Sequence, residues 1–182
     1  LGEGRAEAFL RECARAADAL AALPSGIRPF LRRALDLPIG DIDAEIARCC
    51  EDAEFDCAAL DRIAAANRAW GTATGSGHVE VIDRWIAAAA PDRALLLHEL
   101  VLVFHTGKGE PRKPSKKLLD ADPDYAELAE ELGGRCAELL ALKVRADYAD
   151  LLAQALEAGR AYAETYGRAK RRAGAVDFDD LI

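Results

Sequence analysis

Apolar residues in this chain recur with the period of an α-helix almost from end to end. Phe9, Cys13, Ala16, Leu20 and Leu23 follow one another at steps of four and three residues. Tyr125, Leu128, Leu132, Cys136 and Leu139 repeat the pattern, and Tyr148, Leu152, Ala155, Gly159, Tyr162 and Tyr166 continue it. Such spacing puts each set on one face of a helix and leaves the opposite face to water. Composition agrees. Alanine fills 39 of 182 positions and proline only 7, and Ala, Leu and Arg head the order of helix propensity. The prediction is an all-α fold, an irregular multi-helix bundle of seven to eight helices. The same composition argues against a β-sandwich or barrel. A chain of this length buries a sizeable core without disulfides or metals.

Punctuation along the chain marks the helices. The first is expected from Glu3 to Leu23, ended by Pro24-Ser25-Gly26, and a short one from Ile27 to Leu37. Asp41 or Asp43 suits the cap of a helix reaching Cys50, and Asp56 the cap of one from Cys57 to Trp70. Gly71-Thr72-Ala73-Thr74-Gly75-Ser76-Gly77 reads as a connector. It has the glycines of a phosphate cradle but not the Lys-Ser/Thr ending of a P-loop. A helix from His78 to Ala90 follows, then one capped by Asp92. Leu100 to Phe104 fits either that helix or a short buried strand. Thr106 to Pro114, with two glycines and two prolines, is a loop. A long helix is expected with Asp122 as cap and Pro123 in its first turn, bent at Gly133-Gly134. Another runs from about Lys143 to Arg172 and closes at Gly174.

Charge is distributed unevenly. The net charge is −8, yet all six lysines lie at or after position 108. Between Thr106 and Lys117 stand Lys108, Arg112, Lys113, Lys116 and Lys117 against Glu110 alone. The following stretch, 118–138, holds seven acids and one arginine. The chain as a whole is too acidic for an autonomous nucleic-acid binder, so any phosphate contact has to come from a local patch. A second basic knot is Arg168, Lys170, Arg171 and Arg172.

The residues of a self-contained active site are missing. No GxSxG, GxGxxG or CxxC string occurs, and His98-Glu99 lacks the second histidine of HExxH. The five cysteines, Cys13, Cys49, Cys50, Cys57 and Cys136, read as free thiols of a cytoplasmic protein. No apolar run approaches the roughly 20 residues of a membrane span, so no membrane is expected as a partner. No catalytic, cofactor-binding or metal-binding residue is assigned.

Two stretches carry a family resemblance. The chain ends on Tyr166-Gly167-Arg168-Ala169-Lys170, then Val176-Asp177-Phe178-Asp179-Asp180-Leu181-Ile182. A Tyr…Lys helix followed by this run resembles the UvrD/Rep-type (superfamily 1A) DNA helicases, where the run returns the chain from the helical 1B subdomain to the RecA-like ATPase core. Val103-Phe104-His105-Thr106-Gly107-Lys108-Gly109-Glu110-Pro111-Arg112-Lys113, with Lys116-Lys117 and Ala121-Asp122-Pro123, is similar to the 1B region of AddA-type helicase-nuclease subunits. Ala69-Trp70-Gly71 and Trp85 add a weaker match. The resemblance covers Asn67 to Ile182, and residues 1–66 share only the Ala-rich helical character.

On that resemblance the chain is a piece of a longer protein. Residues 1–176 would be the 1B-like accessory subdomain, and 177–182 the start of the return into the ATPase core. The Walker motifs, the γ-phosphate-sensing arginine and the nuclease acids of the family are absent here, so ATP and Mg are implied only for the parent protein. The implied parent activity is ATP-driven 3′–5′ translocation on DNA and resection of double-strand breaks, with an AddB-type partner subunit. Tyr166, Lys170, Asp177, Phe178, Asp179, Asp180 and Leu181 are then structural residues of the family motif. Lys108, Arg112, Lys113, Lys116 and Lys117 are the candidate DNA contacts. The alternative is a helical interaction module that docks a partner subunit or neighbouring helicase domains without touching DNA.

Overall fold

The computed structural model describes residues 2–23 and 25–175. Among them are nine helices and no strand: α1 (Glu3–Arg15), α2 (Ala17–Ala21), α3 (Ile27–Ala34), α4 (Ile42–Cys49), α5 (Cys57–Trp70), α6 (Ala73–Ala87), α7 (Ala90–Phe104), α8 (Lys116–Ala121) and α9 (Tyr125–Ala173). The fold is an all-α multi-helix bundle. None of these helices is long and apolar enough to cross a membrane. The chain divides into two compact units. The described residues of 1–38 and 145–182 form one, and Ile39–Val144 form the other.

In the first unit, Ile27 and Leu31 of α3 pack on Ala153 of α9, with Leu20, Leu23, Leu152 and Leu156 around them. Arg28 and Asp150 form an ion pair beside this core. The expected single helix from Glu3 to Leu23 is two, because Ala16 leaves helical geometry at φ −93°, ψ 16°. The face of α9 turned inward here also differs from expectation. Ala146, Ala149, Ala153, Gly159 and Ala163 are buried, whereas Tyr148, Tyr162 and Tyr166 are exposed. Small residues win because the backbones approach closely. A Cβ at position 159 would lie 2.9 Å from the Cβ of Cys13.

The second unit is built by capped helices around one core. Asp41 caps α4 by accepting from the N–H groups of Asp43 and Ala44 at 2.9 and 3.2 Å. Asp56 caps α5 through Ala59 N–H at 2.8 Å. Each cap satisfies helix-end donors that would otherwise have no partner. α5 packs on α6 and α8, and α7 on α4 and α6. Leu60, Ile63, Ile82, Trp85, Leu97 and Leu100 are wholly shielded from solvent. Arg93, also buried, ties this core together. It donates to the carbonyls of Cys50 (3.0 Å), Trp85 (3.1 Å) and Ile86 (2.6 Å), and its guanidinium lies 4.8 Å from the Trp85 ring. Trp85 Nε1 returns a bond to Arg93 O at 3.0 Å.

Four sequence-level expectations are corrected in this unit. The Gly71–Gly77 run is not a connector but the opening of α6. Gly71, at φ +67°, ends α5, and Thr72 Oγ1 then caps α6 by accepting from Gly75 N–H at 3.1 Å. Gly75 serves packing, since a Cβ there would stand 2.7 Å from Asn67 O. Asp92 lies in the first turn of α7, behind an Ala89 cap, and Leu100 to Phe104 continue that helix. A short helix, α8, follows the basic segment. The two long helices expected from Asp122 to Arg172 are one, α9, starting after Pro123 and unbroken at Gly133-Gly134. Gly133 sits where a Cβ would come within 2.8 Å of the Phe104 Cβ, so it marks a close helix approach.

Candidate nucleic-acid interface

The basic segment leaves α7 at His105, which is extended at φ −118°, ψ 155°. It folds as a tight hairpin. Thr106 N–H donates to Glu110 O at 2.8 Å, Gly109 N–H to Thr106 O at 2.9 Å, and Arg112 N–H to Phe104 O at 2.7 Å. Gly109 takes φ +81°, the left-handed region that glycine enters without a Cβ penalty. Thr106 Oγ1 accepts from Lys108 and Glu110 N–H inside the turn, both at 3.3 Å. Arg112 fastens the hairpin to the helix end. Its Nε donates to Leu102 O and His105 O, each at 3.0 Å. Those are the carbonyls a helix C-terminus leaves without intrahelical partners. The loop therefore presents its lysines from a fixed backbone. Lys108 is at the tip, Lys113 on the return, and Lys116 and Lys117 in the first turn of α8.

Charge pairing separates this segment from the rest of its unit. Residues 39–144 hold 20 acids and 12 lysines and arginines, so the whole net charge of −8 resides there. All seven cations outside the loop are engaged with carboxylates. Arg48 pairs with Glu45 and Glu54, Arg62 with Asp122 and Asp124, and Arg68 with Asp83. Arg84 pairs with Glu99, Arg93 with Asp52, Arg135 with Glu138, and Lys143 with Asp43. Lys108, Lys113, Lys116 and Lys117 are exposed and have no ion-pair partner among the described residues. Arg62 draws off Asp122 and Asp124, two of the three acids that follow the lysines of α8 most closely. Its hydrogen bonds to Asp122 hold that carboxyl below its usual range.

Behind the loop is a cavity of about 120 Å³. Trp70, Phe104 and Leu118 supply apolar wall, and His78, Arg112, Lys113, Ser115 and Tyr125 bring polar groups. A hydrogen-bonded chain backs it, buried at Asn67 and Tyr125 and half-buried at His78. Tyr125 Oη accepts from Asn67 Nδ2 at 3.1 Å, and His78 Nδ1 lies 3.2 Å from Asn67 Oδ1. Burial, with the Arg112 guanidinium second, lowers the His78 pKa, so the ring is held neutral. Burial raises the Tyr125 phenol. Ser115 Oγ is buried and has no hydrogen-bond partner, a property shared among the described residues only by His105 Nδ1.

The other sequence-predicted site residues lie elsewhere. Tyr166 and Lys170 are on the 145–173 stretch of α9, in the first unit. The Tyr166 ring stacks on Tyr162, with centroids 5.9 Å apart, and Lys170 Nζ is 5.6 Å from the Tyr166 centroid. Asp177, Phe178, Asp179, Asp180 and Leu181 are outside the described residues. The five cysteines are free. The His78–Asn67–Tyr125 chain and Ser115 were not singled out by sequence. Nothing in their spacing signals that three helices and a loop converge on one cavity.

No family model, curated protein or solved structure matches this chain.

Proposed function

We propose that the chain is a helical accessory module of a DNA motor, and that the Thr106–Lys117 segment contacts the phosphate backbone of duplex DNA near the fork. The observation that carries this reading is the pairing pattern. Every cation of the acidic unit outside the loop is neutralised locally, and the four lysines of the loop are not. Lysines bind phosphates as point charges, with affinity that falls with salt and carries no base readout. The UvrD/Rep-type resemblance of the two motifs supplies the context. In that context the parent, an AddA-type helicase acting in double-strand-break repair, supplies ATP and Mg chemistry from its own core. The module contributes duplex engagement and no catalysis.

The test is a gel shift on forked duplex at low and moderate salt. The expected result is binding that weakens steeply with salt and is abolished by K113E, K116E and K117E together. Salt-insensitive binding, or binding unchanged in the triple variant, would refute the reading. A second reading, a docking module for an AddB-type partner subunit, is favoured by Tyr148 and Leu151 of α9. They stand 55% and 66% exposed less than one turn apart, so a partner that covered them would remove apolar surface from water. It predicts no shift of the fork at any salt, and co-elution with that partner lost on Y148D.

A further inference from the structure

The chain has two tryptophans, in opposite situations. Trp85 is wholly buried. Its ring centroid lies 4.6 Å from that of Phe55 and 4.8 Å from the Arg93 guanidinium, and its Nε1 donates to Arg93 O. Trp70 is the last residue of α5 and lines the cavity behind the basic loop. It stays partly exposed, and its indole has no hydrogen-bond, aromatic or cationic partner among the described residues. A ring of this kind favours a partner with a flat face. The rest of the lining offers a polar edge and positive charge. Thr74, exposed, brings a hydroxyl. His78 brings an acceptor, and the Asn67 amide fixes which nitrogen that is. Asn67 Nδ2 donates to Ile63 O and Tyr125 Oη, so Asn67 Oδ1 is left to accept from His78 Nδ1. The His78 proton is then on Nδ1, and Nε2 is an acceptor with no partner among the described residues. No carboxylate lines the cavity, although its unit holds 20 acids, whereas Arg112 and Lys113 of the basic segment do.

We propose that Trp70 is a stacking platform for one unpaired nucleobase of a strand whose phosphates lie on the basic segment. The inference rests on the proposed DNA contact and adds to it the state of the strand that is recognised. Lysines alone do not tell a paired strand from an unpaired one, because both present phosphates. A base inside a duplex is covered on both faces by its neighbours, and taking it out of the stack costs free energy that an unpaired base does not have to supply. Every base has a π-face, so an indole platform holds any sequence. The module would then favour the single-stranded arm of a fork over the duplex beside it.

The experiment uses the full chain and three probes: a fork with oligothymidine arms, the same fork with abasic arms, and the blunt duplex. Affinity and tryptophan emission are read together, with the wholly shielded Trp85 as a constant background. The abasic fork keeps every phosphate, so it isolates the bases. The wild type is expected to show saturable quenching by the thymidine fork and none by the other two probes. It binds the thymidine fork about tenfold more tightly than the abasic one, the worth of one stacked base. W70A, checked by thermal melting to be folded, loses that preference, and W70F, which restores a ring, recovers most of it. The comparison of the two forks on the wild type needs no variant, so it decides the matter even if W70A does not fold. Equal wild-type affinity for the two forks, or a preference that survives in W70A, overturns the platform. If binding still weakens with salt in that case, the DNA reading stands without it. Failure of all three probes to bind sinks the DNA reading and the platform with it.

Discussion

Arg93→Met tests whether the second unit is organised around one buried guanidinium. Arg93 is 6% exposed, and its N–H groups are the partners of the Cys50, Trp85 and Ile86 carbonyls. Methionine preserves the apolar stem over Trp85 but offers no donor. Trp85 O keeps the Ala88 N–H at 3.2 Å, whereas the Cys50 and Ile86 carbonyls lose the Arg93 donor, and each unsatisfied group costs about 1–3 kcal/mol, with partial relief by relaxation. The cation–π contact with Trp85 adds about 1–2 kcal/mol. The expected loss is about 4 kcal/mol, in the range for breaking one side of a buried polar network. The Asp52 carboxylate contributes little of this, because its side chain is 78% exposed. D52N is therefore expected to leave most of the stability in place. Urea unfolding of the full chain, followed by far-UV circular dichroism, measures both. A marked drop in midpoint for R93M and a small one for D52N is the expected pair. An R93M midpoint equal to wild type, with unchanged slope, would refute the assignment of Arg93 as the organising residue.

Other expectations follow from the same geometry. Gly75→Ala should destabilise, since its Cβ would meet Asn67 O at 2.7 Å, whereas Gly77→Ala, in the same helix with nothing within 4 Å, should stabilise by about 1 kcal/mol; equal effects in thermal melts would contradict the close α5–α6 packing. His78 has a folded pKa below its unfolded value, so the unfolded chain takes up the proton first as pH falls below about 6.5. Stability should decline from there toward the folded pKa, and H78Q should remove that slope in urea titrations at several pH values; an unchanged slope would exclude His78 as its source. Burial pushes the Cys50 thiol up to about 11 and Cys136 up to about 12, so both should resist alkylation of the native chain at pH 8, as read by mass spectrometry. Rapid labelling of Cys136 would show that α9 does not stay packed on the unit's core.

Much of the architecture was legible because helical periodicity and caps are local signals. Asp41 and Asp56 cap as their positions suggested, and the stripe Tyr125, Leu132, Cys136, Leu139 is buried as its spacing required. The misreadings share a cause. Gly71–Gly77 looks like a break because glycine has low helix propensity, yet Gly75 is placed by a contact from a distant residue, Asn67. The tyrosine stripe of α9 failed for the complementary reason. Alanine and glycine carry little hydrophobic signal but permit the closest approach, so the face with the smaller side chains turned inward. The basic segment was visible as charge. That its lysines are unpaired, that Arg112 is spent partly on α7, and that a cavity lies behind them depend on which acids are captured elsewhere, and that is a property of the folded chain alone.

The central claim is that the four unpaired lysines of the Thr106–Lys117 segment engage phosphates. The most direct measurement is the slope of log K against log salt concentration for the full chain on forked duplex, compared with a variant in which Lys108, Lys113, Lys116 and Lys117 are all glutamine. Four lysine–phosphate contacts predict a wild-type slope steeper by about 3.6 than that of the variant, which keeps Arg112. The same slope in both proteins would place the contact elsewhere and contradict the account.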